Sequence, residues 1–197
     1  MTDGRSFRPA RGRSRTAAHA ADAPTARPPA QDAAAAHAAD AHVARTNAVR
    51  LLGAHSVPHR LVGYEHDPDA MDAVSVAHKI GVEPETLFKT LVLRGDRSGP
   101  LVCCIPGPLE LNLKKAASVS GNKRVSLIAS RDLVATTGYE RGACSPVAMI
   151  KPFPAYIDES ALLFEEIAVS AGVHGGQILI APAELARFID ADLVDLT

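Results

Sequence analysis

Long apolar runs are missing from this sequence, which limits the kind of protein that it can encode. No stretch of about 18 consecutive apolar residues occurs, so we expect no transmembrane helix and no membrane partner. The opening stretch RSFRPARGRSR is basic and polar and contains no apolar signal core, which argues against secretion. An organellar transit peptide, also rich in Arg and poor in acid, stays open as an alternative.

Cysteine and metal-ligand patterns are also sparse. The three cysteines, Cys103, Cys104 and Cys144, are odd in number and irregular in spacing, which argues against a disulfide framework. The sequence has no C-x-x-C, no H-E-x-x-H and no histidine pair at ligand spacing. We therefore expect a cytoplasmic protein with no metal site and no other cofactor.

The net charge of -1 is distributed unevenly along the chain. Residues 86–151 carry 10 Lys or Arg against 4 Asp or Glu, whereas residues 152–197 carry 1 against 8. A basic middle segment can bind a polyanion if it forms one surface, and a solvated mixed surface is the other interpretation. Charge alone does not decide between them.

Composition divides the chain into a tail and one domain. Residues 1–45 are dominated by Ala, Arg, Pro and Asp, so they cannot bury enough surface to offset the entropy of ordering. We predict a disordered tail over 1–45 and a single compact domain over 46–197. The chain is 47% hydrophobic, which suffices for one sizeable core.

Apolar periodicity and turn residues predict short helices and strands in an irregular order. The predicted helices begin near Thr46, Met71, Leu113, Ser130 and Pro182. Thr46 and Ser130 are the predicted caps of the first and fourth helices, and the third should end at Val119. The predicted strands lie at 60–64, 87–93, 101–105, 147–150, 155–157, 166–169 and 177–180. The second and third of these should pair as a hairpin. Because no regular βαβ rhythm appears, we expect an α/β fold in which a mixed β-sheet is flanked by short helices.

Four segments of the predicted domain carry a family resemblance. They are YEHD at 64–67, FKTL at 88–91, TGYERGACSP at 137–146 and SAGVHGG at 170–176. In order and spacing they resemble the YbaK/EbsC family, the cysteinyl-tRNA(Pro) deacylases, which is related to the editing domain of prolyl-tRNA synthetase. The resemblance covers about residues 46–197 and implies a YbaK-like fold.

Lys89 is the central site residue that the resemblance implies. A lysine on a strand commonly points to solvent, whereas the functional interpretation is a cation that contacts a phosphate or the terminal ribose. The lysine of the family's K-T-L motif matches Lys89 and favours the second interpretation. Gly138 and Tyr64 complete the catalytic candidates, because backbone N–H groups of the glycine loop can stabilise an oxyanion and Tyr64 would line the pocket.

Six further residues are substrate-binding candidates by resemblance or by their place in the same loops. They are Thr90, Tyr139, Gly142, Ser145, Ser170 and Gly172. The alternative for the glycines is ordinary turn chemistry, since glycine allows positive φ. Ser145 does not lie in a nucleophile elbow, because G-x-S-x-G is absent.

Cys144 and His66 are weaker candidates for chemistry. A catalytic cysteine needs a lowered pKa, no histidine lies near Cys144 in sequence, and the family usually has an aliphatic residue there. His66 has the chemistry of a general base, although a surface turn histidine is the commoner case. We assign neither to catalysis.

The basic segment supplies the RNA-binding candidates Lys114, Lys115, Lys123 and Arg124. We expect them to contact backbone phosphates and not bases. The expected partner is the acceptor end of an aminoacyl-tRNA, with prolyl-tRNA synthetase as a further expected partner and no DNA.

The resemblance implies a trans-editing enzyme that removes cysteine from Cys-tRNA(Pro) and also from Cys-tRNA(Cys). The cysteinyl thiol would attack its own ester carbonyl, forming a cyclic thiolactone, while the protein supplies positioning and electrostatic stabilisation. Three alternatives stay open. They are an Ala-tRNA(Pro) deacylase, a non-catalytic tRNA- or synthetase-binding module, and a small-molecule hydrolase that uses Cys144.

Overall fold

The computed structural model describes residues 43–67 and 72–197, so most of the predicted tail and Met71 lie outside the described residues. The described α-helices are α1 (Asn47–Ala54), α2 (Ala73–Ile80), α3 (Leu113–Val119), α4 (Ser130–Thr137) and α5 (Pro182–Ile189), and short 3₁₀-helices lie at Pro84–Thr86 and Glu159–Leu163. The described strands are β1 (Arg60–Gly63), β2 (Phe88–Gly95), β3 (Gly99–Pro106), β4 (Val125–Leu127), β5 (Ala155–Asp158), β6 (Ile167–Ser170), β7 (Gly176–Ile180) and β8 (Ala191–Val194). Within this part of the chain, no helix combines the length and apolarity needed to cross a membrane.

Capping residues explain where several helices begin and end. Thr46 caps α1 as predicted, because its side chain accepts a hydrogen bond from the Val49 amide at 3.3 Å. Asp72 caps α2, and Gly81 ends it with φ of 71°, in the left-handed region that favours glycine. The predicted cap at Ser130 is wrong, because Ser130 is already the first residue of α4 and the helix has no side-chain cap.

The strands form a mixed five-stranded sheet and a smaller antiparallel sheet. The larger sheet has the order β4-β2-β3-β5-β8, and its β3–β5 and β5–β8 pairs are parallel. The smaller sheet has the order β1-β7-β6. The predicted hairpin is confirmed, since β2 and β3 pair antiparallel with Lys89 opposite Ile105. The mixed α/β class is therefore confirmed, and the second sheet adds to what was predicted.

One predicted strand is wrong and two strands were missed. At 147–150 the chain is not extended, because Ala148 has φ of 56°. The carbonyl oxygen of Val147 accepts a hydrogen bond from the Tyr139 hydroxyl at 2.7 Å instead of pairing with a strand. The strands β4 and β8 went unpredicted. Only Asp190 separates α5 from β8, so no Gly or Pro cluster marks that boundary.

The main core packs α1 and α5 against residues of both sheets. Its largest fully buried side chains include Leu52, Phe88, Ile157, Ile178 and Leu185. Val43 is fully buried in the same cluster. Among the described residues, the packed core therefore includes one residue, Val43, that lies three positions before the boundary predicted at Thr46.

Candidate functional site

A cavity of about 720 Å³ opens where the two sheets meet. The larger sheet lines it with consecutive residues of β2, and the smaller sheet lines it with residues at the ends of β1, β6 and β7. Residues of α2, α4 and the loop at 138–146 close the other sides. Three lining residues carry a formal charge, namely Asp72, Lys89 and Arg141. Lys89 and Arg141 therefore supply two positive charges against the one negative charge of Asp72, so the lining has a net positive charge.

Lys89 extends from β2 into the cavity wall and does not simply point to solvent. Its Nζ donates a hydrogen bond to the Gly107 carbonyl oxygen at 2.8 Å. Burial lowers the pKa of Lys89 from its ordinary value, and attraction to Glu110 opposes that shift. An ammonium has three N–H donors, so this contact fixes the cation and leaves donors for a ligand.

Tyr64, Thr90 and Ser170 line the same cavity. The Tyr64 backbone is held by its amide, which donates to the Gly175 carbonyl oxygen at 2.8 Å. The Ser170 Oγ accepts a hydrogen bond from the Gly172 amide at 3.2 Å. The fold thus brings together three segments that are far apart in sequence.

The two glycines of the loop at 138–146 occupy different positions. Gly142 lines the cavity and has φ of 85°. Gly138 ends α4 with φ of 82°, and its amide donates to the Val134 carbonyl oxygen at 2.8 Å. A Cβ at Gly138 would lie 2.7 Å from Cγ2 of the exposed Ile150, so the positive φ is the main reason for a glycine here. Gly138 is not among the lining residues, and its catalytic role stays a prediction.

Tyr139 and Ser145 belong to this loop, Gly172 packs against the Tyr139 ring, and none of the three is among the lining residues. The Tyr139 hydroxyl is bonded to the Val147 carbonyl oxygen, and a Cβ at Gly172 would lie 2.6 Å from the Tyr139 ring. Ser145 is fully buried, and its Oγ accepts from the Val147 amide at 3.2 Å. These contacts fix the conformation of the loop. A direct contact of the three residues with substrate stays a prediction.

The usual catalytic groups of hydrolases are not assembled in the described part of the chain. Cys144 lines the cavity, but burial raises the pKa of its thiol to about 12, while a hydrogen bond with Thr137 acts in the opposite direction. His66 is exposed and stacks on His174 outside the lining, with ring centroids 4.5 Å apart. Over 43–67 and 72–197, no cluster of three His, Cys, Asp or Glu side chains could hold a metal ion.

The four RNA-binding candidates do not form a single group. Lys114, Lys123 and Arg124 are exposed and flank a shallow cleft of about 450 Å³. Lys115 instead forms an ion pair with Asp195 at 2.6 Å and donates to the carbonyl oxygen of Thr197. We refer to Lys114, Lys123 and Arg124 as the basic cleft.

Reasoning from the sequence missed several lining residues, among them Gln177 and Arg141. Gln177 is only 5% exposed, and its Oε1 has no hydrogen-bond partner among the described residues. Arg141 is exposed in the glycine loop beside Gly142. A polar residue inside the apolar strand GQILI, and a cation inside a glycine-containing loop, were the signals that could have indicated them.

Comparison with known proteins identifies close relatives over most of the described chain. The family model of the aminoacyl-tRNA editing domain matches residues 67–188. A protein of Enterococcus faecalis, named EbsC and described as a proposed Cys-tRNA(Pro)/Cys-tRNA(Cys) deacylase, is 44% identical over 143 residues. That match covers 73% of this chain and 87% of the E. faecalis protein. A proline–tRNA ligase of Thermosipho melanesiensis is 27% identical over 84 residues, which are 43% of this chain and 15% of the ligase.

Solved structures share the fold. A crystal structure of a proposed trans-editing enzyme for prolyl-tRNA synthetase matches with a TM-score of 0.69 and 25% identity, covering 80% of this chain and 96% of that one. The hypothetical protein APE2540 matches with the same TM-score of 0.69 at 23% identity, and supports the fold alone. The family match spans more than half of the sequence and includes the cavity residues from Lys89 to Gln177. The chain therefore belongs to the aminoacyl-tRNA editing domain family.

Proposed function

We propose that this chain is a free-standing deacylase that removes cysteine from Cys-tRNA(Pro) and from Cys-tRNA(Cys). The observation that carries the proposal is the cavity in which Lys89 and Arg141 meet apolar walls, because an aminoacyl ester joins a small side chain to an anionic RNA end. Membership of the editing family supports the reaction class. The similarity to the E. faecalis protein supports the choice of cysteine.

In the proposed reaction the substrate supplies its own nucleophile. The cysteinyl thiol attacks the ester carbonyl carbon, the bond from that carbon to the ribose oxygen breaks, and the thiol proton ends on the ribose oxygen. The products are a cyclic thiolactone and uncharged tRNA. Lys89, held by Gly107, would position a phosphate or the ribose near this centre, so the protein contributes orientation and electrostatic stabilisation.

A deacylation panel tests this function. We expect cysteine to leave Cys-tRNA(Pro) much faster than alanine, serine or proline leave the same tRNA, because only cysteine carries the thiol that attacks the ester. The measurement is the rate of loss of labelled amino acid from each charged tRNA. Equal rates for cysteine and serine would exclude thiol-assisted cleavage, and faster loss of alanine would support an Ala-tRNA(Pro) deacylase.

Replacing Lys89 separates an enzyme from a binding module. We expect Lys89→Ala to lower turnover of Cys-tRNA(Pro) by about 100-fold or more, because a preorganised cation in the site is lost. Binding of the RNA, measured by fluorescence anisotropy, should change little. Lys151→Ala is the matched control, because Lys151 is exposed and lies outside the cavity lining. Unchanged turnover in Lys89→Ala would contradict the proposed role.

A prolyl-tRNA synthetase is the protein partner that we propose for this activity. Two matches support the proposal, namely a proline–tRNA ligase and a crystal structure described as a trans-editing enzyme for that synthetase. Adding the synthetase to the deacylation assay at limiting RNA should raise the rate with Cys-tRNA(Pro) selectively. If the synthetase leaves the deacylation rate unchanged, a functional complex between the two proteins is contradicted.

A further inference from the structure

Among the described residues that line the cavity, Asp72 alone carries a negative charge. It lies directly before α2, and it is exposed. Its carboxylate accepts hydrogen bonds from the Ser75 hydroxyl and from the Ser75 amide, the latter at 3.0 Å. These two bonds, the hydroxyl first, lower the pKa of Asp72 from its ordinary value, so the group is ionised at neutral pH. The cavity therefore holds a negative charge that a ligand can contact.

The capping role of Asp72 leaves part of its carboxylate available. A carboxylate has about four lone-pair sites, and Ser75 occupies two of them. Over 43–67 and 72–197, no Lys, Arg or His side chain forms an ion pair with this carboxylate. Serine or asparagine would cap the helix about as well as aspartate does. Capping therefore accounts for the hydrogen-bond acceptor at this position but not for its charge.

Asp72 and Lys89 belong to neighbouring parts of the cavity wall, and Gly107 connects them. The carbonyl oxygen of Gly107 accepts the hydrogen bond from Lys89 Nζ at 2.8 Å. A Cβ added to Gly107 would lie 2.7 Å from the Cβ of Ala73, which is the residue after Asp72. All four residues line the cavity. The carboxylate and the ammonium can therefore contact different groups of one aminoacylated nucleotide.

An aminoacylated RNA end has one cationic group when the amino acid has a neutral side chain. That group is the α-amino group, which is in large part protonated at neutral pH. The phosphates of the RNA are anionic, so a carboxylate repels them. Asp72 thus complements the substrate at the α-ammonium group and not at the RNA backbone. A charge-assisted hydrogen bond of this kind is stronger than one between neutral groups.

We propose that Asp72 is a substrate-binding residue that accepts a hydrogen bond from the α-ammonium group of the bound aminoacyl ester. The ester carbonyl lies between that group and the ribose, so Asp72 and Lys89 hold the substrate on both sides of the reacting carbon. The contact selects an α-amino acid over an acid without the amino group. This inference rests on the proposed deacylase function and adds a recognition element for the amino acid.

The first test uses Asp72→Asn, which keeps a capping side chain of similar size and removes the charge. We expect an unchanged melting temperature, and about a 10-fold lower kcat/KM with Cys-tRNA(Pro). Binding of uncharged tRNA(Pro) should be unchanged or tighter, because a repulsive charge is gone. Asp192→Asn is the matched control, since Asp192 is exposed on β8 and lies outside the cavity lining. Equal kcat/KM values for Asp72→Asn and wild type would contradict the contact.

The second test uses tRNA(Pro) charged with 3-mercaptopropionate, which has the thiol and the ester but lacks the α-amino group. The wild-type chain should prefer the cysteinyl ester, and Asp72→Asn should reduce that preference about 10-fold. Comparing the two preferences cancels the intrinsic reactivity of the esters. If wild type cleaves Cys-tRNA(Pro) and both chains show the same preference, the Asp72 inference is wrong. If wild type cleaves neither ester, the proposed deacylase function is wrong as well.

Discussion

At the scale of single residues, burial keeps the cysteine thiols neutral. Cys103, Cys104 and Cys144 are all buried, and desolvation raises the pKa of each thiol to about 12. Thiolate is the reactive form, so a cavity-lining cysteine is not by itself a nucleophile. This leaves the thiol of the substrate as the sulfur that reacts in the proposed mechanism.

We expect the native thiols to be inert near neutral pH. A thiol reagent at pH 8 should label none of the three cysteines within minutes, and all three after denaturation, because burial disfavours the thiolate and blocks access. Cys144→Ser should retain deacylation within about twofold, since the mechanism does not use this thiol. Rapid labelling of Cys144, or loss of turnover in Cys144→Ser, would revive the cysteine hydrolase alternative.

The same pKa shifts predict how stability depends on high pH. Each folded pKa is raised from an ordinary value of 9.0, so the folded state holds its thiol protons to higher pH than the unfolded state does. The free energy of unfolding should therefore be unaffected by these groups below about pH 9 and should decrease between about pH 9 and 12. Chemical denaturation across that range, with a triple Cys→Ala variant as the control, measures the effect. An equal decrease in the control would assign it to other groups.

The motifs of the sequence indicated several residues that the structure places together, but they missed other residues of the same cavity wall. The order of the motifs indicated Lys89, Tyr64, Thr90 and Ser170, and all four line one cavity. Gln177 was missed because the side that it faces depends on the register of β7 against its neighbours. No local pattern encodes that register.

At the scale of elements, a buried carboxylate joins the C-terminal segment to β5. Asp158 is 3% exposed and accepts hydrogen bonds from the Ser160 amide at 3.1 Å and the Leu196 amide at 3.0 Å. The Thr197 hydroxyl donates to the same carboxylate at 3.3 Å. These bonds hold Leu196, which is fully buried, in the cluster beside the larger sheet.

Asp158→Ala should lower the free energy of unfolding by about 1.5–3 kcal/mol, because it leaves buried amide donors without an acceptor. Urea denaturation measures this change. Asp195→Ala is the matched control, since its carboxylate is 57% exposed and its ion pair with Lys115 should contribute less than about 1 kcal/mol. Equal effects of the two substitutions would show that the buried bonds do not matter.

Helices and strands were predicted correctly where local capping and hairpin signals mark them. The prediction failed where tertiary contacts decide the backbone conformation. The bounds of α3 agree with the sequence, and the β2–β3 hairpin follows from its turn. The segment 147–150 has the apolar composition of a strand. The Tyr139 hydroxyl nevertheless donates hydrogen bonds to the carbonyl oxygens of Val147 and Ala148, and Ala148 has a positive φ. A contact between residues eight or more apart overrides the local preference there.

At the scale of the whole molecule, β4 links the cavity to the basic cleft. Arg124 and Val125 border the cleft, whereas Leu127 and Ile128 border the cavity. Along an extended chain these positions are only about 10 Å apart. We infer that, when the end of an RNA occupies the cavity, the phosphates of the adjoining nucleotides can lie along the basic cleft.

The salt dependence of RNA binding tests this path. Replacing Lys114, Lys123 and Arg124 by Ala together should reduce the slope of log K against log salt concentration by about 2, because each phosphate contact contributes about 0.7–0.9. The deacylation rate at saturating RNA should change little. Lys151→Ala serves again as a control, and a slope unaffected by the triple substitution would exclude the cleft from the path.

The absence of tryptophan gives the position of Tyr64 an optical consequence. The chain has three tyrosines and no indole, so its intrinsic emission is weak and free of tryptophan background. Tyr64 is the tyrosine that lines the cavity, whereas the Tyr139 hydroxyl is bonded within the protein. A tryptophan introduced at position 64 would be a single fluorophore in the cavity wall, and its emission would follow substrate entry and product release in real time without a chemical label.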